Sequence, residues 1–409
     1  SLMNSPADKL IRYWTVTSAG LTNPSYNADF YYLDADITGT ETNLIGARYV
    51  AGTGWLAFSP VDAGNNKIYV TGQSVFGDFT AAGQNAFSYT TVSTGLWTTN
   101  SNWNCNCQPP TGALVVINNN PITLNQNVTL SSITINPSAV LNSENGQSRI
   151  LTILTGGSFI NNGTYTANDG KLIFAGSGAV SGIVAFNNVD ISGGVDFGAN
   201  STINGILSLN NGGYVNTNAP IYGNGSTLKY TSDFELATEW YANAASGQGV
   251  PYNVIIDGGN VYSKTDVNVP RYLRGSLTIN TGKSFSLSQT AFGDLYVAAD
   301  WTNNGTFNAN DRKVTFNGTT AQNINTATNF GYVTIDNNTT FNADISIKFL
   351  LINSGKTFAS QSGSARTLTI ANGGSITNNG TFIPYDGWVT FLGNNTITGT
   401  IEFYNTSIE

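Results

Sequence analysis

Short alternating runs of apolar and polar residues fill this chain, and corners rich in glycine and asparagine separate them. In the run Lys171–Phe174, Leu172 and Phe174 fall on one side of an extended segment, and Val314 and Phe316 do the same further along. Such period-two alternation predicts β-strands with one buried face. The sequence lacks long stretches with apolar residues at helical spacing. The chain is therefore predicted to be all-β.

One phrase is written three times, at Asn161–Phe174, Asn303–Phe316 and Asn378–Phe391. Each copy opens with an Asn-Asn-Gly corner, which we interpret as a turn that requires a positive φ. A second phrase recurs between the copies, for example at Leu277–Phe285 and Leu350–Phe358. Internal repeats of this kind predict a parallel β-helix with about 20 to 22 residues per coil, and right-handed coiling is the expected hand.

The pattern divides the chain into three parts. Residues 1–88 are predicted to form a small antiparallel Ig-like β-sandwich, residues 89–110 a linker and N-terminal cap, and residues 111–409 the parallel β-helix, with its first strand at Leu114–Asn118. The predicted sandwich strands are Leu10–Thr17, Asp29–Leu33, Leu44–Val50, Gly54–Phe58 and Lys67–Gly72. The aromatic residues expected in its core or at its edges are Trp14, Tyr32, Tyr49, Trp55 and Phe79.

Two features are expected to stabilise the β-helix. In the cap, Trp97 and Trp103 are interpreted as packing residues in preference to a sugar-binding platform. At the corners of the coils, asparagine side chains can stack in ladders in which each amide bonds the next. The residues expected in such ladders are Asn161, Asn188, Asn210, Asn303, Asn337 and Asn378.

The charge of the chain argues against some classes of binding partner. The chain has 10% charged residues, against about 25% in an average globular protein, and a formal net charge of −8. Its 16 Lys and Arg residues are scattered, which argues against nucleic acid as a partner. The sequence contains no apolar run of about 18 residues, which a membrane-spanning helix would need, and its first ten residues lack the pattern of a signal peptide.

The residue types needed for most catalytic sites are scarce. The chain has no histidine and no Gly-x-Ser-x-Gly motif. Because some parallel β-helices cleave polysaccharides with carboxylates, the acidic residues near one insertion are catalytic candidates. These are Glu235, Glu239, Asp257 and Asp266, with Lys264, Arg271 and Arg274 nearby. The preferred prediction is that the protein is not an enzyme and needs no cofactor.

About ten extra residues interrupt the repeat near Thr231–Tyr252. They gather the densest aromatic and acidic cluster of the β-helix: Phe234, Glu235, Glu239, Trp240, Tyr241 and Tyr252. An exposed aromatic ring beside carboxylates would suit a sugar, so Glu235, Glu239, Trp240, Tyr241 and Tyr252 are ligand-binding candidates. The alternative is that this loop packs back over the face of a coil.

Two further groups of residues, a pair of cysteines and a cluster of carboxylates, are candidates for a disulfide bond or a metal site. Cys105 and Cys107 favour a disulfide bond, with free thiols and half of a zinc site as alternatives. Asp34, Asp36 and Glu41 lie in one short turn and could bind calcium, although solvated turn carboxylates are the preferred interpretation.

Several short motifs in residues 1–88 carry a family resemblance: RYWTV at Arg12–Val16, DADITGTE at Asp34–Glu41, GW at Gly54–Trp55 and FGDFTAAG at Phe76–Gly83. They resemble the Ig-like modules of large secreted or cell-surface repeat proteins of Bacteroidetes-type bacteria, exported by type IX-like secretion. The Trp, Cys-x-Cys and Pro residues before the first coil are similar to the start of β-helix regions in the same proteins. The resemblance implies a secreted, extracellular protein.

Together these observations favour a non-enzymatic structural protein, namely a cell-surface adhesin or a subunit of a surface fibre, with the β-helix as a stiff rod. The alternative is a β-helix that binds or degrades carbohydrate, with surface glycans as partners; an ice-binding solenoid is a third possibility. Because Asn161–Ser192 aligns without a gap on Asn378–Glu409, we also expect the coils to continue beyond residue 409 or to stack end to end on another chain.

Overall fold

The structure is a computed structural model that describes residues 7–50, 54–83, 88–104, 107–264 and 268–409. It is all-β, with an antiparallel N-terminal part followed by a parallel β-solenoid of about 14 turns from residue 113 on. In the described residues the only helices are single 3-10 turns at Asp34–Asp36, Glu41–Asn43 and Asn100–Asn102. None of the described helices has the length and apolar composition to cross a membrane. The chain divides into two compact units, 1–170 and 171–409.

The first unit begins with two antiparallel sheets. The larger sheet has the strand order Ile37–Thr38, Lys9–Leu10, Gly77–Gly83, Leu44–Val50 and Gly54–Pro60, with Trp14–Val16 also paired to Gly77–Gly83. The smaller sheet pairs Tyr26–Tyr31 with Lys67–Gln73. Phe30 and Ile68 from the smaller sheet pack with Leu44 and Phe79 from the larger one, which makes a small sandwich core.

The predicted sandwich strands are confirmed in outline and corrected in detail. Leu44–Val50 has the predicted bounds, whereas the run predicted as one strand at Leu10–Thr17 forms two short strands. Among the predicted aromatic residues, Tyr32 and Phe79 are buried and Trp14 and Trp55 are half-buried, while Tyr49 is exposed and contacts Trp55 edge-on.

Parallel pairing in the first unit starts at Ser88–Thr90, which lies beside Ala113–Ile117. One face continues through Val128–Ile135, Ile150–Ile153 and Gly157–Asn161, and a second face contains Gly95–Leu96, Ile122–Leu124, Val140–Ser143 and Thr164–Thr166. Residues 88–104 therefore form an incomplete first coil. Trp97 and Trp103 are buried in it, with ring centroids 4.7 Å apart and the Trp103 Nε1 donating to the Trp97 carbonyl oxygen at 2.9 Å.

The second unit is built from parallel coils. Its longest face contains Lys171–Phe174, Asn188–Ile191, Ile206–Leu209, Thr227–Tyr230, Asn253–Ile256, Leu277–Ile279, Trp301–Asn303, Gln322–Ile324, Thr339–Phe341, Thr357–Ser360 and Thr381–Ile383. The early coils add Gly178–Gly182, Gly194–Asp196 and Tyr214–Val215, and then Ala185–Phe186, Thr202–Ile203 and Ile221–Tyr222. The middle coils add Phe234–Glu235, Asn260–Tyr262, Ser284–Ser286 and Thr306–Asn308. The last sheet contains Arg271–Leu273, Leu295–Val297, Lys313–Phe316, Thr328–Ile335, Ile345–Ile352, Thr367–Asn378, Trp388–Phe391, Thr396–Gly399 and Asn405–Ile408.

Alternating residues fill the interior of these coils, as predicted. Leu172 and Phe174 are buried on their strand, and Val314 and Phe316 are buried on theirs. Each such side chain contributes about 1.5 to 3 kcal/mol when fully removed from water. The interior is therefore a continuous apolar stack, and it is this stack that holds successive coils in register.

Coil length varies more than the predicted 20 to 22 residues. Lys171 pairs with Asn188, 17 positions later. Thr227 pairs with Asn253, 26 positions later, and this coil contains the predicted insertion Thr231–Tyr252. A constant length is not required because a coil closes wherever the next inward apolar residue reaches the stack, and the corner between can be short or long.

The Asn-Asn-Gly corner works differently from the prediction. Its first asparagine occupies an inward position above an isoleucine of the preceding coil: Asn161 above Ile135, Asn303 above Ile279 and Asn378 above Ile352. The glycines, Gly163, Gly305 and Gly380, do not have a positive φ. A Cβ at each would instead collide with two backbone carbonyl oxygens of the preceding coil, so close backbone approach is what requires glycine.

The positive φ of the repeat falls seven positions after its first asparagine. The residues there are Asn168 (φ 44°), Asn310 (φ 49°) and Tyr385 (φ 43°). Two of them also bond the preceding coil: Asn168 Nδ2 donates to the Ser143 carbonyl oxygen at 2.6 Å, and Asn310 Nδ2 to that of Leu287 at 2.7 Å. Asparagine suits this position because it tolerates the left-handed region and carries a donor.

Amide ladders exist, but at other residues than predicted. Asn188, Asn303 and Asn378 bond backbone or hydroxyl groups. The side-chain ladders between coils are Asn136 on Asn118 at 2.6 Å, Asn280 on Asp257 at 2.6 Å, Asn342 on Asn325 at 3.0 Å and Asn353 on Asp336 at 2.8 Å. Asn210 accepts a hydrogen bond from the Thr231 hydroxyl, and Asn337 donates one to the Thr320 carbonyl oxygen. Asn303 and Asn378 lie at buried strand positions, where hydroxyl and backbone groups are their partners.

Candidate functional site

The insertion Thr231–Tyr252 lies back on the coils around it. Leu236 N–H donates to the Tyr262 carbonyl oxygen at 2.8 Å, Gly249 N–H to that of Pro220 at 3.0 Å, and the Gln248 Nε2 to that of Ala199 at 2.6 Å. These bonds reach coils on both sides of the insertion. The loop is thus fixed to neighbouring coils by bonds to their backbone carbonyl oxygens, none of which involves a candidate side chain.

Glu239, in the middle of this loop, is fully buried. Its Oε1 accepts hydrogen bonds from the Tyr230 hydroxyl and from Ala237 N–H, both at 2.9 Å. The Tyr222 hydroxyl donates to the Glu239 carbonyl oxygen at 2.8 Å. Two tyrosines from successive coils therefore hold one loop residue by its side chain and by its backbone.

Arg271 supplies positive charge to the same interior. It is 5% exposed, and its Nη2 donates to the Leu236 carbonyl oxygen at 3.3 Å. Its Nε and Nη1 are buried and have no hydrogen-bond partner among the described residues. We call Tyr222, Tyr230, Glu239 and Arg271 the buried polar cluster.

The electrostatics of the buried polar cluster follow from burial. Loss of water raises the pKa of Glu239 above its ordinary value, while hydrogen bonds from Ala237 and Tyr230 and the charge of Arg271 act in the opposite direction. Burial also lowers the pKa of Arg271 and raises the pKa values of Tyr222 and Tyr230. The cluster disfavours charge on each of its members, which is the behaviour of groups closed off from solvent.

Trp240 is also completely buried. Its Nε1 donates to the Tyr272 carbonyl oxygen at 2.8 Å, and its ring stacks on Phe285 at 6.0 Å and 13°. An aromatic platform for a sugar must present a ring face to solvent. Trp240 does not, so the candidate site predicted at Glu239 and Trp240 is not an open one, and these residues lie as the packing alternative describes.

The remaining candidates of the insertion do not converge on one surface site. Exposed Glu235 forms an ion pair with Lys264 at 3.3 Å. Tyr241 and Tyr252 are half-buried, and the Arg274 guanidinium lies 5.5 Å from the centroid of the Tyr252 ring. Asp257 pairs with Lys229 at 2.7 Å. Asp266 lies outside the described residues.

The three carboxylates of the acidic turn are each bonded to a protein group. Asp36 accepts hydrogen bonds from Arg12 Nε at 2.6 Å and from Leu33 N–H at 2.9 Å, and these hold its pKa below the ordinary value. Asp34 accepts from Asn66 Nδ2 at 2.6 Å and Glu41 from the Tyr32 hydroxyl at 2.8 Å. Within the part of the chain that the structure describes, no three or more His, Cys, Asp or Glu residues are grouped as metal ligands.

The structure describes only one of the two cysteines of the predicted disulfide bond. Cys107 is in a disulfide bond. Cys105 lies outside the described residues. Free thiol chemistry at Cys107 is therefore excluded in this structure.

Sequence reasoning missed the partners of Glu239. Tyr222 and Tyr230 occupy strand positions where the period-two pattern predicts apolar, inward-facing side chains, so the pattern gives no sign of a polar role for them. Arg271 read as a neighbour along the chain, whereas it stands at a buried strand position. The available signal was an arginine in the inward register of a strand, which predicts a buried partner.

No protein-family model matches the chain, and comparisons with curated proteins and with solved structures give no match. The fold and the geometry of its side chains are therefore the basis for inferring a function.

Proposed function

We propose that the protein is a non-enzymatic extracellular structural protein, a cell-surface adhesin or a subunit of a surface fibre, in which the β-solenoid is a stiff repeat scaffold. The buried polar cluster carries this proposal. It contains the residues best suited to chemistry, yet it encloses them and uses them to fix a loop to successive coils. A catalytic carboxylate needs access to its substrate, and Glu239 has none.

The sequence supports the same proposal through its composition. Low charge and many Asn, Ser and Thr residues give outer surfaces that are neutral and polar. Secretion and surface exposure are inferred from the resemblance to secreted repeat proteins. The proposal assigns no cofactor to the protein.

Self-association belongs to the proposed function. In the last coil Tyr404 is 66% exposed and Ile408 is 82% exposed. Strands that present apolar side chains and free backbone groups pair readily with further strands. The proposed partner is a second copy of this chain.

Antibodies raised against the purified chain test the location. They should label intact, unpermeabilised cells of the organism that encodes it, and deletion of the gene should reduce attachment of those cells to surfaces. Labelling only after permeabilisation, with attachment unchanged, would contradict the proposal.

A cleavage assay tests the non-enzymatic part. The purified chain and its Glu239→Gln variant are incubated with a panel of polysaccharides, and new reducing ends and unsaturated products are measured. Both proteins should give the background of a buffer control. Turnover by the wild type that is lost in Glu239→Gln would establish an enzyme.

A further inference from the structure

Two grooves lie next to each other on one face of the second unit. The first has a volume of about 390 Å³ and is lined by Asn260, Tyr262, Ser284 and Asn308, among others. The second has a volume of about 410 Å³ and is lined by Thr306, Asn329, Ser346 and Thr369, among others. Both border the strand Thr306–Asn308. We call the two grooves together the polar trough.

The strand register places side chains of the trough in a row along the coils. Asn260 pairs with Ser284 and Ser284 with Thr306, each on the next strand. A second row lies on another sheet, where Asn329 pairs with Ser346 and Ser346 with Thr369. Thr306 lines the same groove as this second row. Successive strands are about 4.8 Å apart, so each of the two rows spans about 10 Å.

The polar side chains of the first groove are partly bonded to one another. Ser284 Oγ donates to Asn260 Oδ1 at 2.6 Å, and Asn308 Nδ2 donates to Ser286 Oγ at 3.0 Å. Ser263 and Gln289 line the same groove. Bonds between neighbouring side chains hold these polar groups in fixed positions, which lowers the entropic cost of binding a ligand there.

The trough is almost free of charge. Among its described lining residues Asp344 alone is charged, and its Oδ1 accepts a hydrogen bond from Thr367 N–H at 2.8 Å. Hydroxyl and amide side chains both donate and accept hydrogen bonds, as a ligand rich in hydroxyl groups requires. Because no described lining residue of the trough carries a positive charge, its lining does not suit phosphates or other anions.

Tyr262 adds an aromatic surface to this neutral lining. It is 41% exposed and lies on the same strand as Asn260. Backbone groups of the strand are already paired along the coils, so an extended peptide cannot dock here by strand addition. An exposed tyrosine offers apolar contact through its ring and a hydrogen bond through its hydroxyl.

We propose that the polar trough binds a linear neutral oligosaccharide that lies across successive coils, with one sugar ring on Tyr262 and sugar hydroxyl groups on Ser263 and Asn308. The groove volumes fall in the range of small-molecule sites. The site is distinct from Glu239 and Trp240. It would give the scaffold a glycan-binding surface, but it does not depend on the scaffold being an adhesin.

Titration calorimetry with neutral hexasaccharides tests the proposal, using cello-, xylo-, manno-, malto- and chito-oligosaccharides, with an oligogalacturonate as the acidic comparison. At least one neutral hexasaccharide should bind, with an affinity that does not change between low and high salt. Tyr262→Ala should weaken that binding by about tenfold or more, and Asn308→Ala by a smaller factor. Tyr214→Ala is the matched control, because Tyr214 is 49% exposed in the same unit and lies outside both grooves.

Three outcomes would overturn the proposal: no neutral hexasaccharide binds at millimolar concentration, the oligogalacturonate binds best, or Tyr262→Ala binds as tightly as Tyr214→Ala. Circular dichroism of each variant must match the wild type. These outcomes leave the structural function untouched, since surface labelling and attachment do not require this site.

Discussion

The left-handed asparagine of the repeat gives a prediction whose magnitude can be worked out. At Asn168, φ is 44° and Nδ2 donates to the Ser143 carbonyl oxygen at 2.6 Å. Asn168→Ala places a Cβ residue in the left-handed region without a compensating bond, which costs about 1 kcal/mol. Loss of the hydrogen bond adds about 1 kcal/mol. The free energy of unfolding should therefore fall by about 2 kcal/mol.

A glycine variant separates the two contributions. Asn168→Gly loses the hydrogen bond but adopts the left-handed conformation freely, so it should cost about 0.5 to 1 kcal/mol less than the alanine variant. Asn162→Ala is the control, because Asn162 is an exposed residue of the same repeat with no positive φ. It should stay within about 0.5 kcal/mol of the wild type.

Urea unfolding followed by far-ultraviolet circular dichroism measures these differences. Hydrogen exchange of peptides from residues 157–170 shows whether the loss is local, as expected for a solenoid whose coils contact mainly their neighbours. The reasoning is refuted if Asn168→Ala is no more costly than Asn162→Ala, or if the glycine variant is as unstable as the alanine variant.

Three further predictions use the same denaturation assay. Trp240→Ala should cost about 3 to 5 kcal/mol because the ring is fully buried, whereas Trp388→Ala, at a residue that is 44% exposed, should cost much less; equal losses would contradict the packing. Asn378→Ala should cost about 1 to 2 kcal/mol, since it removes bonds to Gly380 N–H and the Thr400 carbonyl oxygen, and exposed Asn379→Ala should be near neutral. Because burial raises the folded-state pKa of Glu239 above 4.5, its contribution to stability is complete below that pH and declines as pH rises through the folded-state pKa. Residue 239 cannot titrate in Glu239→Gln. The difference in unfolding free energy, wild type minus variant, should therefore fall as the pH rises above 4.5, and a difference that does not change with pH would contradict this.

The period-two pattern predicted the inward residues because burial on a strand depends only on alternation. Leu172 and Val314 needed no knowledge of the coil length to be assigned to the core. Because alternation does not depend on the number of residues per coil, it could not predict that number correctly. Alternation fixes which residues point inward, but the corner from Thr227 to Asn253 can absorb an insertion without disturbing the stack.

The requirement for glycine was predicted at the right residues for the wrong reason. At Gly305 the conflict is between a Cβ and carbonyl oxygens of the preceding coil, and such a contact depends on which coil lies beside the corner. A sequence shows that glycine is needed but not whether conformation or close approach requires it. The buried polar cluster could not be predicted for the same reason, because the charges of Glu239 and Arg271 come within electrostatic range only after the coils have stacked.

Hydrogen exchange of the insertion Thr231–Tyr252 tests most directly whether the buried polar cluster is structural. In the wild type, the amides of Leu236, Tyr241 and Gly249 should be protected by their bonds to neighbouring backbone carbonyls. Glu239→Ala should lower their protection by about tenfold or more, while Glu235→Ala, at the exposed ion pair with Lys264, should leave it unchanged. Unchanged protection in Glu239→Ala, together with loss of a measurable glycan-cleaving activity, would contradict the account.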